Sequence, residues 1–185
     1  SPRVQFNSGS NQYKFEPNVR SGGVSFTAGI TARDSVNPDN FGNLDTLVNV
    51  NNKFTGNVIN GFGYGIVSIG IGSLIKAGVN DFRAFYNTGT EITDNTIYNV
   101  RGAGIFVGNE DGVKVIHNRI YNVGAITGGS QDYAAGIVAG GEARYTNINL
   151  VIQRNEISGV TANLAARGIV VEQARNDYQA LSSVR

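Results

Sequence analysis

Two stretches decide how this chain folds: residues 53–70, KFTGNVINGFGYGIVSIG, and residues 91–108, EITDNTIYNVRGAGIFVG. They align through the first half, and the second carries one more residue before its Gly-Ile. Each reads apolar residue, two variable residues, Asn, any residue, Ile, and later Gly-Ile followed by alternating apolar positions. Moving outward, KVIHNRIYNV from Lys114 repeats the first half, and AAGIVAG from Ala134 completes it after an insertion. VIQRNEISGV from Val151 and ARGIVVE from Ala166 give a further copy, and KFEPNVRSGGVSFTAG from Lys14 a fainter one with Arg20 in place of Ile.

The Asn of the motif falls at Asn18, Asn57, Asn95, Asn118 and Asn155, so the steps are 39, 38, 23 and 37 residues. The short step sets the unit: three strands of four or five residues with three bends need roughly twenty-odd residues. The longer steps read as the same unit carrying loops. Repeats with strands and no helical crossover stack as parallel coils, each pairing its backbone with the coils on either side.

On these residues the chain resembles the right-handed parallel β-helix repeat family, which includes pectate and alginate lyases, polygalacturonases, phage tailspikes and bacterial surface proteins. The likeness covers residues 53–173 well and 14–28 weakly. It implies an all-β fold, a single-stranded solenoid of about five coils with inserted loops. The expected organisation is an N-terminal coil, loop or cap over 1–52, repeats over 53–173, and a polar tail or partial cap over 174–185.

In a coil, alternate side chains point into a narrow core. Three interior columns are expected: Phe54, Ile92, Val115, Ile152; Ile59, Ile97, Ile120, Ile157; and Ile66, Ile105, Ile137, Ile169. Gly65, Gly104, Gly136 and Gly168 precede the third column and read as corner residues before its strand. Asn57, Asn95, Asn118 and Asn155 read as a structural ladder of amides at a corner, with Asn itself tolerating a left-handed backbone. His117, whose equivalents are Gly56, Asp94 and Arg154, reads as a solvated position. Leu164–Arg167 and Asn176–Ser182 are the only stretches suited to a turn or two of helix.

Composition narrows the chemistry. There are 25 Gly and, by count, 23 Asn in 185 residues, fitting short strands joined by bends with positive φ. With no Cys and one His, disulfides, thiolate catalysis, Cys-ligated zinc and multi-histidine metal sites are excluded. Fifteen Lys and Arg against fourteen Asp and Glu give a net charge of +1, which supplies no electrostatic reason to expect nucleic acid. The apolar runs are too short to span a bilayer as helices, so no membrane insertion is expected. A chain beginning at Ser1, without Met or signal peptide, reads as a processed protein or a segment of a longer one. Secretion or a cell-surface location is the expectation.

Enzymes of the resembling family use a Lys or Arg base with Ca²⁺-binding acids, or clustered Asp. No such catalytic motif is matched, so no catalytic residue is assigned, and the substrate-binding residues are not legible. Glu110, Asp111, Glu142 and Glu172 follow the Gly-Ile strands at similar offsets, and Lys114 and Arg101 are possible neighbours of Glu110. Glu110, Asp111 and Glu142 are the Ca²⁺ candidates, because that ion prefers carboxylates; no other cofactor is implied. If Ile105 points inward, Phe106 points outward with Val67, Val138 and Val170. That apolar outer stripe is the interface candidate. Its occupant would be an inserted loop, another copy in a homo-oligomer or filament, or the rest of a longer chain. The reading is a non-catalytic extracellular structural or adhesive module that self-assembles by head-to-tail stacking. The alternative is a polysaccharide lyase or hydrolase on acidic polysaccharide, or a fragment of one.

Overall fold

Tandem copies of one strand-forming motif give sheets that run along the repeat direction, each copy adding one strand to each sheet. A computed structural model of the protein describes residues 2–7, 12–17, 28–33, 49–70, 72–75, 82–124, 132–140 and 145–172, and all its regular elements there are strands. The first described coil is β4 (Lys53–Thr55), β5 (Val58–Asn60) and β6 (Tyr64–Ile69). Before it come β1 (Pro2–Asn7) and β2 (Gln12–Pro17), an antiparallel pair, and β3 (Ala28–Arg33). After it, β7 (Gly72–Ile75) and β8 (Phe82–Phe85) form a second antiparallel pair. The second coil is β9 (Asn87–Thr88), β10 (Glu91–Thr93), β11 (Thr96–Val100) and β12 (Ala103–Gly108). The third is β13 (Glu110–Asp111), β14 (Lys114–Ile116), β15 (Arg119–Val123) and β16 (Tyr133–Gly140). The fourth is β17 (Val151–Gln153), β18 (Glu156–Val160) and β19 (Ala165–Glu172).

Three parallel sheets result, ordered β17-β14-β10-β4, β18-β15-β11-β5 and β19-β16-β12-β6-β3. The register is the one the motif dictates: Phe54 beside Ile92, Val115 and Ile152; Ile59 beside Ile97, Ile120 and Ile157; Ile66 beside Ile105, Ile137 and Ile169. The chain is all-β with parallel sheets, an arrangement consistent with a β-solenoid. β3 extends the third sheet with Ile30 beside Ile66, so Gly29-Ile30 is the N-terminal equivalent of the Gly-Ile step. The fainter copy at Lys14 does not continue the sheets in the expected way, because Phe15 pairs antiparallel with Val4 in β1. Asn18 and Arg20 lie outside the described residues. Leu164–Arg167 does not form helix: Ala165 opens β19, paired with Tyr133.

The core is a stack of aliphatic side chains. Ile92, Ile97, Val100, Ile105, Val107, Val113, Val115, Ile120, Val123, Ile137 and Leu150 have no exposed surface. Burying each such side chain contributes about 1.5–3 kcal/mol relative to leaving it in water.

The repeated glycines work differently from the corner role the sequence suggests. Gly65, Gly104 and Gly136 lie inside the third-sheet strands, and none has a positive φ. They are close-approach sites. A Cβ on Gly65 would stand 2.5 Å from Ile97 Cγ2, and one on Gly136 would stand 2.5 Å from Ile157 Cγ2 and 2.7 Å from the Gly168 carbonyl oxygen. A Cβ on Gly104 would likewise collide with Ile120 Cγ2. Each glycine is thus the socket for the second-column isoleucine of the following coil.

Candidate functional site

The amide ladder predicted at Asn57, Asn95, Asn118 and Asn155 exists, with bonds running one way. Asn57, Asn95 and Asn118 each donate through Nδ2 to the Oδ1 of the next Asn at 2.9 Å. Their backbone N–H groups donate to the same oxygens at 2.9, 3.1 and 2.9 Å. The Nδ2 groups of Asn95, Asn118 and Asn155 also donate to the carbonyls of Phe54, Ile92 and Val115. Asn95 and Asn118 are buried, so these bonds satisfy groups that water cannot reach.

The left-handed residue at this corner is the one before each Asn. Gly56, Asp94, His117 and Arg154 have φ of 68°, 57°, 57° and 55°. Asp and His are among the non-glycine residues that enter this region most readily. His117 is exposed, with Nδ1 3.9 Å from Asp94 Oδ1, an ion pair only when the ring is protonated. The corner geometry accounts for its place.

A second ladder, which the sequence reading missed, runs through Asn49, Asn87, Glu110 and Asn147, just before the first-sheet strands. The Asn49 N–H donates to Asn87 Oδ1 at 3.0 Å, Asn87 Nδ2 to Glu110 Oε1 at 3.1 Å, and the Glu110 N–H to Asn147 Oδ1 at 3.2 Å. Asn147 Nδ2 donates to the Val107 carbonyl. Its signal was present: NVNN at 49–52, NTGT at 87–90, EDGV at 110–113 and NINL at 147–150 share the 38, 23 and 37 residue steps of the first ladder. Two positions beyond each rung, Asn51, Gly89, Gly112 and Asn149 all have positive φ.

Glu110 therefore does not sit in an exposed acidic row. It has no exposed surface, and Glu172 aligns with Gly140 instead. The Glu110 carboxylate accepts from Ser68 Oγ at 2.5 Å, Asn87 Nδ2 at 3.1 Å and Thr90 Oγ1 at 2.7 Å, and all three donor residues are fully buried. Charge-assisted bonds of this kind offset the cost of removing a carboxylate from water. A group without solvent access cannot reach a polymer bond. Asp111 is half-buried and accepts from Asn149 Nδ2 at 2.9 Å. Glu142 lies outside the described residues. Among the described residues no group of three His, Cys, Asp or Glu is placed to hold a metal ion.

Lys114 turns to Glu91 at 3.2 Å, and Lys53 meets the same carboxylate at 3.2 Å from the other side. Hydrogen bonds to Lys53 and then Lys114, reinforced by their charges, hold the Glu91 carboxyl below its ordinary range. Arg101 is exposed. On the outer stripe Val67 is buried, while Phe106, Val138 and Val170 are half-buried, and the Tyr145 ring packs edge-on to Phe106 with centroids 5.6 Å apart. On the second sheet's outer face Tyr98 and Tyr121 stack, with centroids 4.9 Å apart and rings 4° from parallel. Beside them Asn99 Nδ2 donates to Asn60 Oδ1 and Asn122 Nδ2 to Asn99 Oδ1.

No helix among the described residues is long and apolar enough to cross a membrane. No family model, curated protein or solved structure matches this chain.

Proposed function

We propose that the chain is a non-catalytic structural module, a right-handed parallel β-helix of a secreted or cell-surface assembly. Parallel crossover connections are right-handed in about 98% of cases, which favours that hand. The observation that carries the reading is Glu110. The acid the sequence offers first as a Ca²⁺ candidate is a rung of an interior ladder, held by Ser68, Asn87 and Thr90. Lys114, expected as a possible neighbour of Glu110, is engaged with Glu91 instead. In this reading charged groups hold coils together, and the product of the fold is a rigid rod.

The test is incubation of the chain with pectin, alginate and related acidic polysaccharides, with and without Ca²⁺, alongside Glu110→Gln. No unsaturated or reducing sugars should appear, and Glu110→Gln should lower the unfolding midpoint. Turnover by the wild type that Glu110→Gln abolishes would sink the reading. A second reading, contact with polysaccharide, is supported by one feature. The Tyr98–Tyr121 stack flanked by Asn60, Asn99 and Asn122 combines apolar rings with amides, as sugar-binding surfaces do. Retardation of the chain in polysaccharide-containing native gels, lost in Tyr121→Ala, would favour it.

A further inference from the structure

Asn60 stands apart from the other asparagines. Of the 23 Asn in the chain, it alone is followed by Gly. The ladder residues Asn57, Asn95 and Asn118 precede Val, Thr and Arg. Asn95 and Asn118 are buried and bonded through both ends of the amide, and the Asn57 Nδ2 and N–H are both held on Asn95 Oδ1. Asn60 instead closes β5 and is exposed, with its Oδ1 accepting from Asn99 Nδ2 at 2.8 Å.

The residue after it is equally open. Gly61 is exposed, has a φ of 82°, and would carry a Cβ with nothing within 4 Å. Its counterparts one position past Tyr98 and Tyr121 are Asn99 and Asn122, with φ of 53° and 55°. The Gly61 N–H donates to the Tyr98 carbonyl at 3.3 Å, a long bond beside the 2.8 Å one from Thr96 to Asn57. Bonds at strand ends open most readily. Asparagine is chemically labile, because the nitrogen of the next residue can close a five-membered ring on its Cγ. A side chain on that next residue crowds the approach, and glycine has none.

We propose that Asn60-Gly61 is a self-modification site, at which Asn60 converts to aspartate through a cyclic imide formed with the Gly61 nitrogen. That nitrogen, its proton lost to hydroxide, attacks Asn60 Cγ. A C–N bond forms, and Nδ2 takes a proton from water and leaves as ammonia. Water then opens the ring at one of its two carbonyls, giving aspartate or isoaspartate. One water is consumed and one ammonia released, with no change of oxidation state. Opened to aspartate, the site keeps its place in the row, because Asn99 Nδ2 then donates to a carboxylate. Opened to isoaspartate, the backbone gains an atom and the pairing of Asn60 with Tyr98 is lost. Either product makes fifteen basic against fifteen acidic residues, so the formal charge of +1 falls to zero. Proteins near zero net charge associate more readily.

The chemistry is independent of the structural-module reading, and polysaccharide turnover would bear on that reading alone. The test warms the full chain in mildly alkaline buffer and follows it by tryptic digestion and fragment-ion mass spectrometry. Trypsin releases residues 54–76, which carry Asn57 and Asn60 on one peptide, so Asn57 is the internal control. Asn60 should exchange its amide for a carboxyl at least tenfold faster than Asn57, with isoaspartate detected by enzymatic methylation. Gly61→Asn, the residue the register already accepts at Asn99 and Asn122, should slow the reaction at least tenfold and keep the unfolding midpoint. Asn60→Gln, whose longer side chain would need a six-membered ring, should abolish the acidic shift on ion exchange, and Asn60→Asp should reproduce it. Equal rates at Asn57 and Asn60, an unchanged rate in a folded Gly61→Asn chain, or an acidic shift that persists in Asn60→Gln would each overturn the proposal.

Discussion

Ile137 and Ile169 occupy one register position in adjacent strands, as do Gly136 and Gly168, and Ile120 and Ile157. In the third coil these residues are closed over by the next coil; in the fourth no described coil closes over them, and Ile157 is half-buried. The sequence motif is nearly the same in both regions. What differs is whether a described neighbour lies beyond, so the motif encodes an interface between coils more than a coil. Stability in such stacks is approximately a sum of repeat and nearest-neighbour terms, and a coil with a neighbour on each side gains two of the latter.

Paired substitutions test this contrast, with unfolding followed by urea titration and far-UV circular dichroism. The largest difference is expected for Ile105→Asn against Ile169→Asn. The first removes a fully buried side chain and leaves an unpaired amide in a dry column, at a cost of about 4 kcal/mol or more. The second, at a half-open site, should cost about 1 kcal/mol. Equal losses would mean that the fourth coil is covered as well as the third. Next comes Asn118→Ala, which orphans the Asn95 N–H and the Ile92 carbonyl and should cost about 3 kcal/mol. Asn155→Ala, on the partly open rung, should cost about half as much.

Gly104→Ala follows, forcing Ile120 and the backbone of β16 aside for about 2 kcal/mol, while Gly168→Ala should change stability by no more than about 0.5 kcal/mol. The smallest effect belongs to the surface. The Glu91 carboxyl is lowered in the fold, so its contribution is present above the ordinary value of 4.5 and is lost as pH falls through the lowered folded value. Glu91→Gln should therefore lower stability slightly above that range, flatten the acid limb between those values, and make no difference below them. An unaltered acid limb would show that the Lys53–Glu91–Lys114 row contributes nothing measurable.

The first two interior columns were legible because apolar side chains recur at fixed offsets from Asn57, Asn95, Asn118 and Asn155, and the third because each copy carries Gly-Ile. The glycine role was misread for a physical reason: a missing Cβ looks the same in sequence whether it permits a bend or a close approach. The place of the left-handed residue was hidden because Gly56, Asp94, His117 and Arg154 share no chemistry, only a backbone angle. Glu110 was hardest. One carboxylate among the amides Asn49, Asn87 and Asn147 breaks the visible repeat, and acids are usually solvated. Its burial follows from donors on β6 and in the second coil, which no local pattern announces.

The 23-residue step between Asn95 and Asn118 has a kinetic consequence. Closing a chain of that length costs about 0.4 kcal/mol less entropy than closing one of 38 residues. The middle pair of coils also owns the most completely covered side chains. Nucleation is thus favoured between β11 and β15, with growth toward both ends as each finished rung presents amides to its neighbour. The molecule assembles from its waist, and its outer coils form last.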